Sequence, residues 1–155
     1  MVEIIAGMKA PAFDMPTAGG GRINSADLIG KTVVLYFYPK ADTPGCTTEA
    51  QDFTALAEDF AAANTVVIGV SRDAVKALDR FKTKRELGVI LASDEDGSVT
   101  EAFGVWGEKK LYGRVYMGIE RATFLIDATG VVRETWRKVS VKGHAQAVLD
   151  AARTL

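Results

Sequence analysis

Cys46 is the only cysteine in the chain, and it closes the stretch Pro39-Lys40-Ala41-Asp42-Thr43-Pro44-Gly45-Cys46. The run before it, Val33-Val34-Leu35-Tyr36-Phe37-Tyr38, is β-branched and aromatic as a central strand should be, and Pro39 fits only beyond the strand's end. Thr43 suits a helix N-cap and Pro44 a first helical position. Ala50, Phe53, Leu56, Ala57 and Phe60 then share one helical face, so a helix is expected from Pro44 to about Ala62 with Cys46 in its first turn. Unpaired N–H groups and the positive end of the helix dipole favour a thiolate there. A free cysteine titrates near ~8.5, and such positions bring it into the range of roughly 3.5 to 7.5. The plainer alternative is a small buried hydrophobe.

Spacing removes most cysteine chemistries. The positions three before and three after Cys46 are Thr43 and Glu49, so there is no C-x-x-C, and Asp52 stands where a phosphatase loop needs arginine. A cysteine protease needs a histidine, and the only one, His144, opens the last predicted helix and reads as a surface residue. One cysteine and one histidine are too few for a usual zinc site. Asp94-Glu95-Asp96-Gly97 lacks the remaining ligand spacing of a calcium loop and reads as a turn and helix cap. Neither a metal nor a cofactor is expected.

What remains is a thiolate reacting with a small electrophile. Peroxide reduction requires hydrogen-bond donors, a cation and a sheltered pocket while charge develops on the breaking O–O bond. Thr43, three residues before Cys46, can place its hydroxyl beside the sulfur. The N–H groups of Gly45 and Cys46 can point the same way, and Pro39 can shield the site. Arg121, at the start of a central-looking strand, is the candidate cation; an ordinary strand-end arginine is the alternative. Glu49 can orient that arginine, or it is an exposed glutamate favoured by the helix dipole.

The other elements must bring these residues together. A small N-terminal β-hairpin is expected from 12–15 and 22–24, then one helical turn over 25–29. Thr65–Ser71 reads as a second buried strand, parallel to the first in a right-handed βαβ unit. A helix capped by Ser71 or Asp73 is expected to run to about Leu87, with Val75, Leu78 and Phe81 inward and Lys76, Arg80, Lys84 and Arg85 mostly outward. A third strand follows at 88–93, then a short helix ending at Gly104. Residues 105–119 lose periodicity and read as a long loop. Arg121–Asp127 and Val131–Arg137 form a hairpin, the second strand at an edge with Val132, Glu134 and Trp136 on one face. A last helix spans about Gly143 to Arg153. Together these predict an α/β, thioredoxin-like fold: a central mixed sheet flanked by helices, with an added N-terminal hairpin.

The 155 residues predict one domain, long enough to need no disulfide or metal. A net charge of -1 leaves no electrostatic footprint for nucleic acid or an anionic membrane, so neither is expected as a partner. No apolar run approaches ~20 residues, and the N-terminus lacks the basic start and apolar core of a signal peptide. A soluble protein of the reducing cytoplasm is the expectation.

Pro39, Thr43 and Cys46 meet the pattern P-x-x-x-T-x-x-C, and in this the chain resembles the peroxiredoxins. The run Tyr36–Lys40 through Thr43–Thr47, with Arg121–Asp127, is similar to the PrxQ subfamily, also called bacterioferritin comigratory protein. The resemblance covers nearly the whole chain. It implies a peroxidatic Cys46, an activating Thr43, a shielding Pro39 and a contribution from the Arg121 guanidinium. Many members carry a resolving cysteine five residues after the first; here that residue is Gln51. A thiol-dependent peroxidase acting on hydrogen peroxide and small organic hydroperoxides is therefore expected to follow a one-cysteine cycle. An outside thiol then reduces the Cys46 sulfenic acid: a small thiol, thioredoxin, glutaredoxin with glutathione, or another subunit. All four prolines precede the middle of the chain, so no later cis-proline faces Cys46 as in disulfide oxidoreductases. A monomer, or at most a weak dimer, is expected. The competing class is a redox sensor whose partner surface lies near 105–119, although Trp106, Tyr112 and Tyr116 read as packing groups.

Overall fold

A computed structural model describes residues 3–155. Its centre is β3 (Thr32–Phe37), all six residues of which are buried. β-branched and aromatic side chains fit a pleated surface covered on both faces, and each one fully buried stabilises by roughly 1.5–3 kcal/mol. Alternation along the strand sends Val34, Tyr36 and then Tyr38 into one core and Val33, Leu35 and Phe37 into the other.

β3 pairs in parallel with β4 (Thr65–Ser71), which pairs in parallel with β5 (Ile90–Ser93). On its other side β3 pairs antiparallel with β8 (Ala122–Ile126), which pairs with β9 (Val132–Trp136). The sheet order is β5-β4-β3-β8-β9, a mixed sheet with β9 at an edge, as expected. The helices α1 (Pro44–Ala55), α2 (Ala57–Ala62), α3 (Val75–Lys84) and α5 (His144–Ala152) contribute to the core that holds Cys46. The short α4 (Ser98–Ala102) packs on the opposite face with the N-terminal hairpin of β1 (Asp14–Pro16) and β2 (Arg22–Asn24). A 3₁₀ turn over Ser25–Leu28 follows the hairpin. The predicted thioredoxin-like architecture and its hairpin are both present. No helix among the described residues is long and apolar enough to cross a membrane.

Several local expectations need correction. The helix from Pro44 is broken at Leu56 (φ -101°, ψ 10°), whose N–H bonds to Phe53 O, a tighter i→i−3 contact that ends α1. α3 begins after Ala74 without a side-chain cap, because Ser71 and Asp73 bond to one another, and it ends at Lys84. Residues 105–119 are no loop. β6 (Trp106–Leu111) and β7 (Arg114–Ile119) form an antiparallel hairpin around Tyr112-Gly113, both at positive φ. Tyr112 is 94% exposed, and Leu111, Val115, Tyr116 and Met117 are also open to solvent, whereas Trp106 packs under the Arg72 guanidinium. In β9 a bulge opposite Leu125–Ile126 splits the predicted face, so Val132 joins one core and Trp136 the other. Asp94 behaves as expected of a cap, accepting the N–H groups of Val99 and Thr100 at 3.0 and 2.7 Å.

Candidate active site

Phe37, the last residue of β3, pairs with Ala122, the first residue of β8, so the loop after β3 and the residue before β8 meet at one end of the sheet. The loop leads to Cys46 in the first turn of α1, and the residue before β8 is Arg121. Cys46 is 2% exposed. Arg121 Nη2 lies 3.3 Å from Cys46 Sγ and donates towards it, while Nη1 donates to Glu49 Oε1 at 2.7 Å. One planar guanidinium therefore joins two residues of the same helical turn.

Gly45 makes room for this arrangement. A methyl group in place of its hydrogen would stand 3.2 Å from Arg121 Nη2. The Arg121 backbone is pinned as well, its carbonyl accepting the Val139 N–H at 2.9 Å.

Glu49 is buried rather than an exposed helix-start glutamate, and its Oε2 has no hydrogen-bond partner among the described residues. Burial pushes its carboxyl up to about 7, against the opposing charge and hydrogen bond of Arg121. Burial alone would weaken the Arg121 charge. The charges of Glu49 and Cys46 outweigh it and hold the guanidinium above its ordinary value. The cation beside the sulfur is thus secure, while the acid that orients it stands between its two forms near neutrality.

Thr43 occupies the N-cap position with extended backbone, but its hydroxyl donates to Lys40 O at 2.8 Å and not to the sulfur. Its carbonyl accepts the Thr47 N–H at 2.8 Å, joining the loop to the helix. Pro39 is half-buried at the head of this loop. Of the five residues singled out in the sequence, Arg121 touches both Cys46 and Glu49, while Pro39 and Thr43 lie in the loop that leads to Cys46. Among the described residues no cluster of three His, Cys, Asp or Glu side chains is placed to hold a metal ion.

His144 is not the surface residue its helix-start position suggested. It is 6% exposed, its Nε2 lies 2.8 Å from Thr123 Oγ1, and its ring meets Phe53 and Trp136 edge-on. Burial, reinforced by the Arg121 charge, lowers its pKa to about 4, so the ring is neutral at physiological pH. The sequence carried a signal for this, because His144 falls four and eight residues before Val148 and Ala152 on the buried face of α5. Tyr36 was likewise missed as a support. Its ring stacks on Phe53 of α1 at 4.6 Å between centroids, and burial drives its phenol well above the ordinary value.

A groove of about 300 Å³ lined by Phe13, Leu28, Val33 and Ile126 lies at the other end of the sheet, where Val33 pairs with Ile126. It plays no part in this constellation.

Residues 6–135 match the AhpC/TSA family profile. Peroxiredoxin Bcp of Bacillus subtilis is 48% identical over 149 residues, covering 96% of this chain and 93% of its own. The bacterioferritin comigratory protein of Xanthomonas campestris has the same fold at a TM-score of 0.90 and 43% identity, covering 96% of this chain and 98% of its own. PrxQ of Xylella fastidiosa superposes at 0.94 with 37% identity, covering 99% and 98%. With Cys46, Arg121 and Glu49 assembled at the end of a thioredoxin-like sheet, the chain belongs to the AhpC/TSA family, among the peroxiredoxins of the Bcp or Q type.

Proposed function

We propose that this chain, a thiol-dependent peroxidase by family, reduces hydrogen peroxide and small organic hydroperoxides through Cys46 in a one-cysteine cycle. The observation that carries the reading is the Arg121 guanidinium, 3.3 Å from Cys46 Sγ and fixed by Glu49. The Cys46 thiolate attacks the terminal peroxide oxygen, an S–O bond forms as the O–O bond breaks, and the products are a Cys46 sulfenic acid and an alkoxide or hydroxide that takes up a proton. Arg121 stabilises the charge that shifts from sulfur to the leaving oxygen. Thr43 would turn its hydroxyl hydrogen from Lys40 O to the bound peroxide, and Pro39 would limit water at the loop. The Xanthomonas campestris relative is described by its alkyl peroxide reduction activity, which supports organic hydroperoxides as substrates here.

With no second cysteine in the chain, an outside thiol must condense with the sulfenic acid, releasing water and leaving a mixed disulfide. A second thiol then displaces Cys46 as the thiol and departs as a disulfide. Thioredoxin, or glutaredoxin with glutathione, fits this need, and a reducing compartment such as the cytoplasm supplies both. Because Cys46 is 2% exposed, the first turn of α1 has to open for that exchange. Steady-state peroxide consumption with thioredoxin, with glutaredoxin plus glutathione, and with dithiothreitol tests the cycle. Multiple turnovers are expected, and Cys46→Ser should abolish them. A single stoichiometric oxidation with every reductant would instead point to a sensor.

A further inference from the structure

The loop that delivers Cys46 is fastened from outside the reacting group. Asp73 lies just past β4, and its Oδ2 accepts the Ala41 N–H at 2.8 Å and the Ser71 hydroxyl at 2.7 Å. Its own carbonyl accepts the Ser93 hydroxyl at 2.6 Å. Ser71 and Ser93 end the two parallel strands β4 and β5 and are buried, so Asp73 is held by the sheet on one side and holds the loop on the other.

The segment from Pro39 to Thr43 has no regular structure of its own. A second tie runs from Asp42 (φ 62°) to Lys84 Nζ and Arg85 Nε at 2.8 and 3.0 Å. That tie is exposed, and exposed ion pairs contribute little and are screened by salt. A charge-assisted bond from a half-buried carboxylate to a backbone N–H is the stronger constraint.

We propose that Asp73 is a positioning residue for the peroxide reaction. Through the Ala41 N–H it fixes the loop that carries Pro39 and Thr43, and with it the start of α1. Cys46 follows β3 through this loop in the first turn of α1, while Arg121 directly precedes β8, so their 3.3 Å approach depends on where the loop sits. The inference rests on the reading of Cys46 as the peroxide-reacting thiol.

Two single-turnover rates measured side by side test it: Cys46 oxidation by hydrogen peroxide and Cys46 alkylation by iodoacetamide. Asp73→Ala is expected to slow oxidation about tenfold or more while alkylation changes less than about threefold, since only the first reaction needs the assembled site. Asp73→Asn can put its amide oxygen where Oδ2 accepts both the Ala41 N–H and the Ser71 hydroxyl, so it should recover most of the oxidation rate. Asp42→Asn should change either rate by less than about twofold. Should Asp73→Ala not fold, Asp73→Glu takes its place, because the displaced carboxylate should lower the oxidation-to-alkylation ratio too. An unchanged ratio, or an Asn variant as slow as the Ala variant, overturns the assignment. Slow oxidation of the wild-type protein would overturn the reading of Cys46 itself.

Discussion

Arg121 Nη1 and Glu49 Oε1 stand 2.7 Å apart although 72 residues separate them in sequence, and the same guanidinium reaches Cys46 through its other terminal nitrogen. A lysine ammonium at position 121 cannot present two donors in one rigid fork. Arg121→Lys and Arg121→Ala are therefore both expected to lower the second-order rate of Cys46 oxidation by about 10² to 10³, the range for loss of one transition-state donor. Stopped-flow oxidation, with circular dichroism to verify folding, checks this. A lysine variant within about fivefold of wild type would separate the arginine from the chemistry.

Two buried titrating groups make opposite demands on stability. The Glu49 pKa is raised to about 7, so the folded state holds its proton where the unfolded chain has lost it, and stability falls as pH rises from about 4.5 to 7. The His144 pKa is lowered to about 4, so the unfolded chain binds the proton first, and stability rises with pH from about 4 to 6.5. Each amounts to something on the order of 3 kcal/mol across its window, and between about 4.5 and 6.5 they largely cancel. Relative to wild type, Glu49→Gln should gain stability as pH rises from about 4.5 to 7, and His144→Asn should lose it from about 4 to 6.5. Denaturant titrations at half-unit pH steps measure both. Parallel profiles for all three proteins would contradict both assignments.

Gly45 leaves open the space into which the guanidinium packs. The added methyl of Gly45→Ala would meet Arg121 Nη2 at 3.2 Å, and the arginine is held at its guanidinium by Glu49 and at its backbone carbonyl by Val139. Alanine also suits a helical turn better than glycine, by roughly 0.5–1 kcal/mol. The substitution should therefore leave stability unchanged or slightly higher while slowing Cys46 oxidation by about fivefold or more, as expected of a small misplacement. Thermal unfolding and oxidation kinetics on one preparation test the pair of effects. Loss of both together would mean that the glycine serves only the fold.

The legible parts of this protein are those where a buried face imposes a period. The continuous apolar run of β3 and the i, i+4 pattern of α5 led directly to their observed positions, and the spacing of Pro39, Thr43 and Cys46 pointed to the loop and helix start that Arg121 reaches. The β6–β7 hairpin escaped because most of its residues face solvent. Alternation reports a buried side, and neither face of this ribbon has a continuous one. Its turn is Tyr112-Gly113 where Asn-Gly or Asp-Gly would have announced it, and Gly107 lies opposite Gly118 in the pairing. The direct contact of Glu49 with Arg121 is tertiary, made by a strand pairing whose register no local pattern encodes.

Tyr36 and Gly69 are paired across β3 and β4, and the phenol of one lies over the other. A methyl at position 69 would stand 2.6 Å from both Cζ and Oη of Tyr36. The ring cannot swing clear, because it is fully buried and stacked on Phe53, which belongs to the helix that carries Cys46. Gly69→Ala is therefore expected to destabilise by about 2–3 kcal/mol, as overpacking does, and to slow Cys46 oxidation by displacing α1. Removing the obstructing ring should relieve the strain. In the double variant with Tyr36→Leu, the loss should be smaller than the sum of the two single losses by about 1–2 kcal/mol. Urea unfolding of the four proteins closes the cycle. Additivity within about 0.5 kcal/mol would show that the ring and the glycine do not constrain each other.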